Sequence, residues 1–266
     1  MTIAESLVAL TIFSVAAALG VALLIGTERR VREDAISDAG AQTVREVVAA
    51  LAGDVEFGLG DSLRVHGDTA LDLYSPIGHG VICAADSVSA ALAPAARRDG
   101  VPFATWWVPL AAGDVVVASD SAVPTPRGAV VASAAERAVG TQCRTATGFL
   151  SPADSSAAVP ATTFATAGSF ARTLRVGSAV RFYRPVRWVV YRAADRRYWL
   201  GQRRCTAALN CGVVQPVAGP VAPPADSGLR FTADGRGGVR VWLRADGVAT
   251  RPVHDYRLRV RTVATP

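Results

Sequence analysis

Twenty-one consecutive residues without a charge, Ser6 to Gly26, begin after only five residues and end abruptly at Glu28, Arg29 and Arg30. At ~1.5 Å per residue, a helix of that length spans about 30 Å, the hydrocarbon thickness of a bilayer. A cleaved secretory signal starts with basic residues, has a shorter apolar region and ends at small residues. This run has no basic start and is longer, so the sequence predicts a segment retained in the mature chain. Glu5 stands at its edge. A carboxylate there is costly unless it stays solvated at the membrane surface or meets a positive group inside an assembly.

The helical pattern continues beyond the apolar run. Val31, Ile36, Ala39, Val44, Val47, Val48, Leu51 and Val55 recur at helical spacing, and Arg32, Glu33, Asp38, Arg45 and Glu46 fill the other face. No proline precedes Pro76, and Gly53 or Gly58 offers a stop. The pattern predicts one helix from about residue 2 to about residue 53, near 80 Å if straight. Its first half is apolar all round, and its second half is amphipathic against a globular head. Two units follow: residues 1–30, a hydrophobic helix, and residues 31–266, a head that carries the amphipathic half.

Met1-Thr2-Ile3-Ala4-Glu5-Ser6-Leu7-Val8-Ala9-Leu10-Thr11-Ile12-Phe13 resembles the mature N-terminus of the type IV pilin and pseudopilin superfamily. That pattern has an aromatic residue or Met at position 1, Glu at position 5, and an apolar helix with small residues at intervals. Thr2, Glu5, Leu7, Ala9, Leu10 and Phe13 fit it, and the resemblance covers about the first 55 residues closely. No leader ending in Gly precedes Met1, so the numbering is that of processed protein or Met1 is an initiator. Position 22 is Ala where many members have Pro, which leaves Gly20 as the candidate weak point of the helix. The resemblance implies an α+β, pilin-like fold, with the long helix packed on an antiparallel sheet. It further implies leader removal by a prepilin peptidase, N-methylation of Met1, an inner-membrane pool, and insertion into an extracellular filament by a separate assembly ATPase.

After residue 60 the periodicity changes to two. Leu63–His66, Thr69–Tyr74 and Gly80–Cys83 read as short strands separated by Gly and Pro, followed by Phe103–Leu110, Asp114–Ala118 and Ala129–Ala132. Thr173–Val176, Ala179–Tyr191 and Arg197–Arg203 come later. The clearest hairpin joins Val180–Tyr191 to Tyr198–Leu200 through Ala193–Arg196, and Pro185 inside it implies an edge position or a bulge. A second hairpin pairs Val239–Arg244 with Tyr256–Val263. These strands are apolar on one face and lined with Arg on the other. Ser151–Ser169 and the Pro-rich Pro216–Gly228 read as loops. In an extracellular protein, the first is compatible with O-glycosylation at Ser151, Ser155, Ser156, Thr162, Thr163 and Thr166, or is a plain flexible insertion.

Four cysteines, Cys83, Cys143, Cys205 and Cys211, form no C-x-x-C, and the three His stand alone, which argues against zinc. An even count in an exported chain fits two disulfides. Three connectivities are open; the short loop between Cys205 and Cys211 favours a local bridge, leaving Cys83 with Cys143. No nucleophile elbow, metalloprotease helix, phosphate loop or dinucleotide fingerprint occurs, so neither an enzyme nor a cofactor is expected.

Every basic residue is Arg, and the charge is polar along the chain: net −7 over residues 1–170 and net +13 over residues 171–266. Such a split suits head-to-tail self-association or contact with an acidic polymer. The expected function is a structural subunit of a type IV pilus-like filament, built with copies of itself or other pilins. Burial of the 21-residue run (on the order of 1,500 Å², tens of kcal/mol gross) is largely offset because that surface already lies in lipid. Glu5 paired with the amine of Met1, in the same or a neighbouring chain, would then bias the exchange from lipid to filament. The alternative in the same superfamily is a minor pseudopilin of type II secretion, most similar to the J type. The alternative of another class is a membrane-anchored module whose Arg-rich C-terminal half binds DNA or another polyanion.

Overall fold

The computed structural model describes residues 3–59, 62–93, 104–119, 127–138, 142–143, 148, 160–168, 170–226, 228–235, 238–246 and 254–259. The fold is α+β: one long N-terminal helix packed on an antiparallel, sheet-rich head. Helix α1 (Ile3–Phe57) runs 55 residues, unbroken through Gly20 and Gly53. It passes the expected stop because Val55 is fully buried and holds one more turn against the head. Gly58 ends it, for a Cβ there would lie 2.6 Å from the Asp54 carbonyl oxygen.

Docking starts later on α1 than the apolar pattern predicts. Val31 is 68% exposed and Ile36 45%, and Ala39 is exposed too; Gly40 is the first buried position. From there Val44, Val47, Leu51 and Val55 form the buried seam, at spacings of three and four. Full burial of a Val or Leu side chain is worth about 1.5–3 kcal/mol, so these four supply about 6–12 kcal/mol gross. No described side chain of residues 3–39 is buried against the head.

The head is built on two long strands, β2 (Ala70–Ala85) and β8 (Ala179–Arg192), paired antiparallel from Ala70↔Val189 to Val81↔Ala179. Two strands separated by Pro and Gly were expected where β2 is continuous; an irregularity between Pro76 and Gly78 absorbs Pro76 without ending the strand. Near the helix, β2 is flanked by β1 (Arg64–His66), and β8 by β9 (Tyr198–Arg204) and then β10 (Gln215–Val221). The β8–β9 hairpin is the one the sequence predicts. The Pro-rich stretch expected as a loop instead supplies β10.

At the far end the same two strands enter a closed ring. There β2 pairs with β3 (Ser89–Leu92), β3 with β7 (Pro160–Thr166), and β7 with β6 (Arg127–Ala138). Then β6 pairs with β5 (Val115–Ser119), and β5 with β8, which returns to β2. A six-stranded antiparallel barrel results. Ile82, Leu92, Val116, Phe164, Val180 and Phe182 fill it, with Phe164 edge-on to Phe182 at 5.2 Å. The short strand β4 (Thr105–Trp106) adds to β2 and lays Trp106 5.0 Å from Phe182. Residues 160–166, expected as loop, form a ring strand, and Thr173 ends a 3-10 turn, Phe170–Thr173, rather than starting a strand.

Pro185 lies on neither an edge nor a bulge. On one side of β8, residues 186–192 pair with β9 and residues 179–183 with β5, so Pro185 falls where one neighbour gives way to the other. Its carbonyl accepts from Cys205 N at 2.8 Å, which places its missing N–H on the same side, in the gap between the two strands. The lost donor therefore breaks no ladder.

A second sheet, β11 (Arg230–Ala233), β12 (Gly238–Leu243) and β13 (His254–Arg259), contains the second predicted hairpin, described as far as Arg259. Its inner face (Phe231, Val239, Val241, Leu243) shares one core with the α1 seam and with Leu71, Leu73, Val186, Trp188 and Leu200 of the larger sheet. The barrel core takes no residue from α1.

Candidate assembly surface

Residues 3–39 of α1 project from the head with large apolar side chains in water: Ile3 is 84% exposed, Phe13 75% and Leu10 70%. Monomeric soluble proteins rarely expose apolar patches beyond a few hundred Å². This segment is long and apolar enough to cross a membrane, by length and composition, and fits an anchor or a signal sequence. Three of its described hydroxyls are satisfied from within. Thr11, Ser14 and Thr27 each donate to the carbonyl three residues back, at 2.8 Å, so none of these three donors needs a partner from lipid or from another chain. A band of exposed charge, Glu28 to Asp38, separates it from the docked part.

The docked part is held by a polar anchor as well as by its seam. Asp54 of α1 reaches the sheet, where Ser75 Oγ donates to Oδ1 at 2.6 Å. Trp188 Nε1 and Gln202 Nε2 donate to Oδ2 at 3.0 and 2.9 Å. Burial pushes the Asp54 carboxyl above its ordinary value, opposed by these three hydrogen bonds. The donors come from β2, β8 and β9, so one carboxyl ties the helix to three strands.

Part of the Arg-lined face is occupied by the chain's own acids. Arg187 donates to Asp72 through Nε (2.6 Å) and Nη2 (2.8 Å), and His66 Nε2 lies 2.7 Å from the same carboxylate, which is 2% exposed. Arg184 grips Asp114 through Nε and Nη2, both at 2.8 Å, and also donates to Pro109 O. Arg197, Arg204, Arg230, Arg240 and Arg259 each have an Asp within 4.0 Å. These pairs lower the free positive charge that a polyanion would meet.

Both disulfides join the cysteines that the spacing favoured: Cys83 to Cys143, and Cys205 to Cys211. The first ties the barrel wall to a point 60 residues on, and the second closes a turn after β9. Glu5 lies on α1, whereas Met1 falls outside the described residues. Ser151, Ser155 and Ser156 also lie outside them. Thr162, Thr163 and Thr166 are in β7, between two neighbouring strands, not in a loop. Thr163 Oγ1 donates to Ala135 O at 3.0 Å, and Thr166 is buried, so the glycosylation reading fails at Thr166 for want of access. No group of His, Cys, Asp or Glu placed to hold a metal occurs among the described residues. Sequence reasoning missed Asp54, Asp72 and Asp114. Compared with protein families, curated proteins and solved structures, the chain matches none.

Proposed function

We propose that this chain is a structural subunit of a type IV pilus-like filament, in which the exposed arm of α1 packs among the arms of other copies and the heads lie outside. The observation that carries the reading is residues 3–39, an apolar arm continuous with a helix seated in the head. An arm so built exchanges between lipid and a helical core without refolding the head. Hydrophobic burial does not drive that exchange, since lipid is as apolar as the core; packing and the Glu5 charge do. The barrel, which takes no core residue from α1, supports a second reading, a scarce pseudopilin at a filament tip, where a bulky head meets no neighbour above it. Prepilin peptidase, an assembly ATPase and an inner-membrane pool belong to both readings.

The test compares Glu5→Ala and Glu5→Gln by the ratio of sheared to membrane-retained protein. Glu5→Ala should insert normally but enter filaments at a small fraction of the usual yield, with Glu5→Gln milder because it keeps an acceptor. Normal yield from Glu5→Ala would make Glu5 an interfacial residue and remove the proposed mechanism. Abundance in sheared filaments separates the two readings.

A further inference from the structure

The outer face of the β11–β13 sheet carries a charge arrangement that the fold alone disfavours. Thr232, Arg240 and Arg257 stand in one row across the three strands, so Arg240 and Arg257 are direct cross-strand partners of like charge. Such pairs destabilise a sheet. Arg240 is neutralised by Asp255, to which its Nε donates at 2.9 Å, and is steadied by Trp242, whose ring centroid lies 5.2 Å from its Cζ. Arg259 Nε lies 3.6 Å from Asp234 Oδ2. Arg257 has no carboxylate partner among the described residues. Arg240, Arg257 and Arg259, with Thr232, Ala233 and Asp234, line an open cavity of about 350 Å³.

Gly238 shapes this cavity. A Cβ there would lie 2.7 Å from the Leu258 carbonyl oxygen on β13 and 2.8 Å from Asp234 Oδ2, so glycine lets β13 pair closely beside the Asp234–Arg259 pair. Arg240 and Arg259 are thus positioned by their own partners, while Arg257 is left to face whatever enters. A guanidinium presents donors in a planar fork suited to two oxygens of one anion.

We propose that this cavity is an anion site that binds the phosphate group of a small phosphorylated ligand, with Arg257 as its principal donor. Arg240 and Arg259 flank the phosphate, and Thr232 belongs to the same lining. A bare phosphate leaves much of the volume empty, and a sugar-sized remainder fills it. The site is independent of the assembly arm.

The test is calorimetric titration of the detergent-solubilised full chain with inorganic phosphate, glucose 6-phosphate and glucose. Saturable binding of glucose 6-phosphate, tighter than phosphate, with none of glucose, is the expected result. Phosphate and glucose 6-phosphate of equal affinity would confine the site to the free anion and overturn the small-ligand part. Arg257→Gln should weaken binding at least about tenfold, whereas Arg175→Gln, at an exposed arginine elsewhere, should leave it unchanged. Arg257→Gln should also melt no lower than the parent without ligand, because it relieves the repulsion with Arg240, and should lose the phosphate-induced rise in melting temperature. No saturable binding, or a phosphate response that survives Arg257→Gln, overturns the proposal.

Discussion

The indole Nε1 of Trp188 and the carboxyl of Asp54 meet at 3.0 Å, with Ser75 and Gln202 completing the ring of donors around one helical side chain. Asp54→Ala should strand these three donors inside the head and cost about 1–3 kcal/mol or more, read by denaturant unfolding. Asp54→Asn should cost less, since its amide can accept from Trp188 and donate to the Ser75 hydroxyl.

The same group gives a signed pH dependence. Burial raises the Asp54 carboxyl, so the folded chain holds this proton to higher pH than the unfolded chain does. Its contribution to stability is present below the ordinary carboxylate value and is lost as pH rises through the raised one. The difference in unfolding free energy between the parent and Asp54→Asn should therefore move against the parent as pH rises through that window. A difference that is flat with pH would show that Asp54 does not titrate in the folded state as argued.

Helix seating should be local to residues 40–57. Leu51→Ala, at a fully buried seam position, should cost about 2–5 kcal/mol, while Ile36→Ala on the exposed arm should stay within about 0.5 kcal/mol. Equal effects would mean that the arm docks on its own head.

The disulfides should differ in worth. Native chain should contain no alkylatable thiol. Replacing Cys83 and Cys143, 60 residues apart, by Ala should cost about 4 kcal/mol, and replacing Cys205 and Cys211, six apart, about 2 kcal/mol on the chain-entropy view. Denaturation midpoints of the two double variants decide the order.

Thr166 offers a change in the opposite direction. Its hydroxyl is buried in β7 without a hydrogen-bond partner among the described residues. Thr166→Val keeps the shape and removes the unsatisfied group, so it should raise the unfolding free energy by about 1 kcal/mol.

The helix and the β8–β9 hairpin were legible because each has its own period, and Ala193–Arg196 marks the turn between them. The barrel was not. Its closure depends on which half of β8 pairs with β5 and which with β9, a long-range choice with no local signature. Residues 160–166 looked like a loop because Ala and Thr carry weak alternation, although Phe164 at the strand's centre fills the barrel. Asp72 sits between two buried leucines, and alternation places it on the opposite face, but only the strand register brings Arg187 across from it. For that reason the pairing of Arg187 and Arg184 with Asp72 and Asp114 could not be read from the Arg pattern alone. On α1, Val31 and Ile36 follow the seam's spacing yet have no head beside them, and where a helix leaves its domain is not written in its period.

Two strands passing through both cores have a mechanical consequence. The α1 seat and the barrel are joined along the length of β2 and β8, which pair from Ala70↔Val189 to Val81↔Ala179. Tension pulling the helix away from the barrel therefore runs parallel to these strands. It is carried along both backbones, because each strand is held in the α1 core at one end and in the barrel core at the other. A load applied to the barrel would reach α1 along this spine, and the hairpins at its margins would be spared.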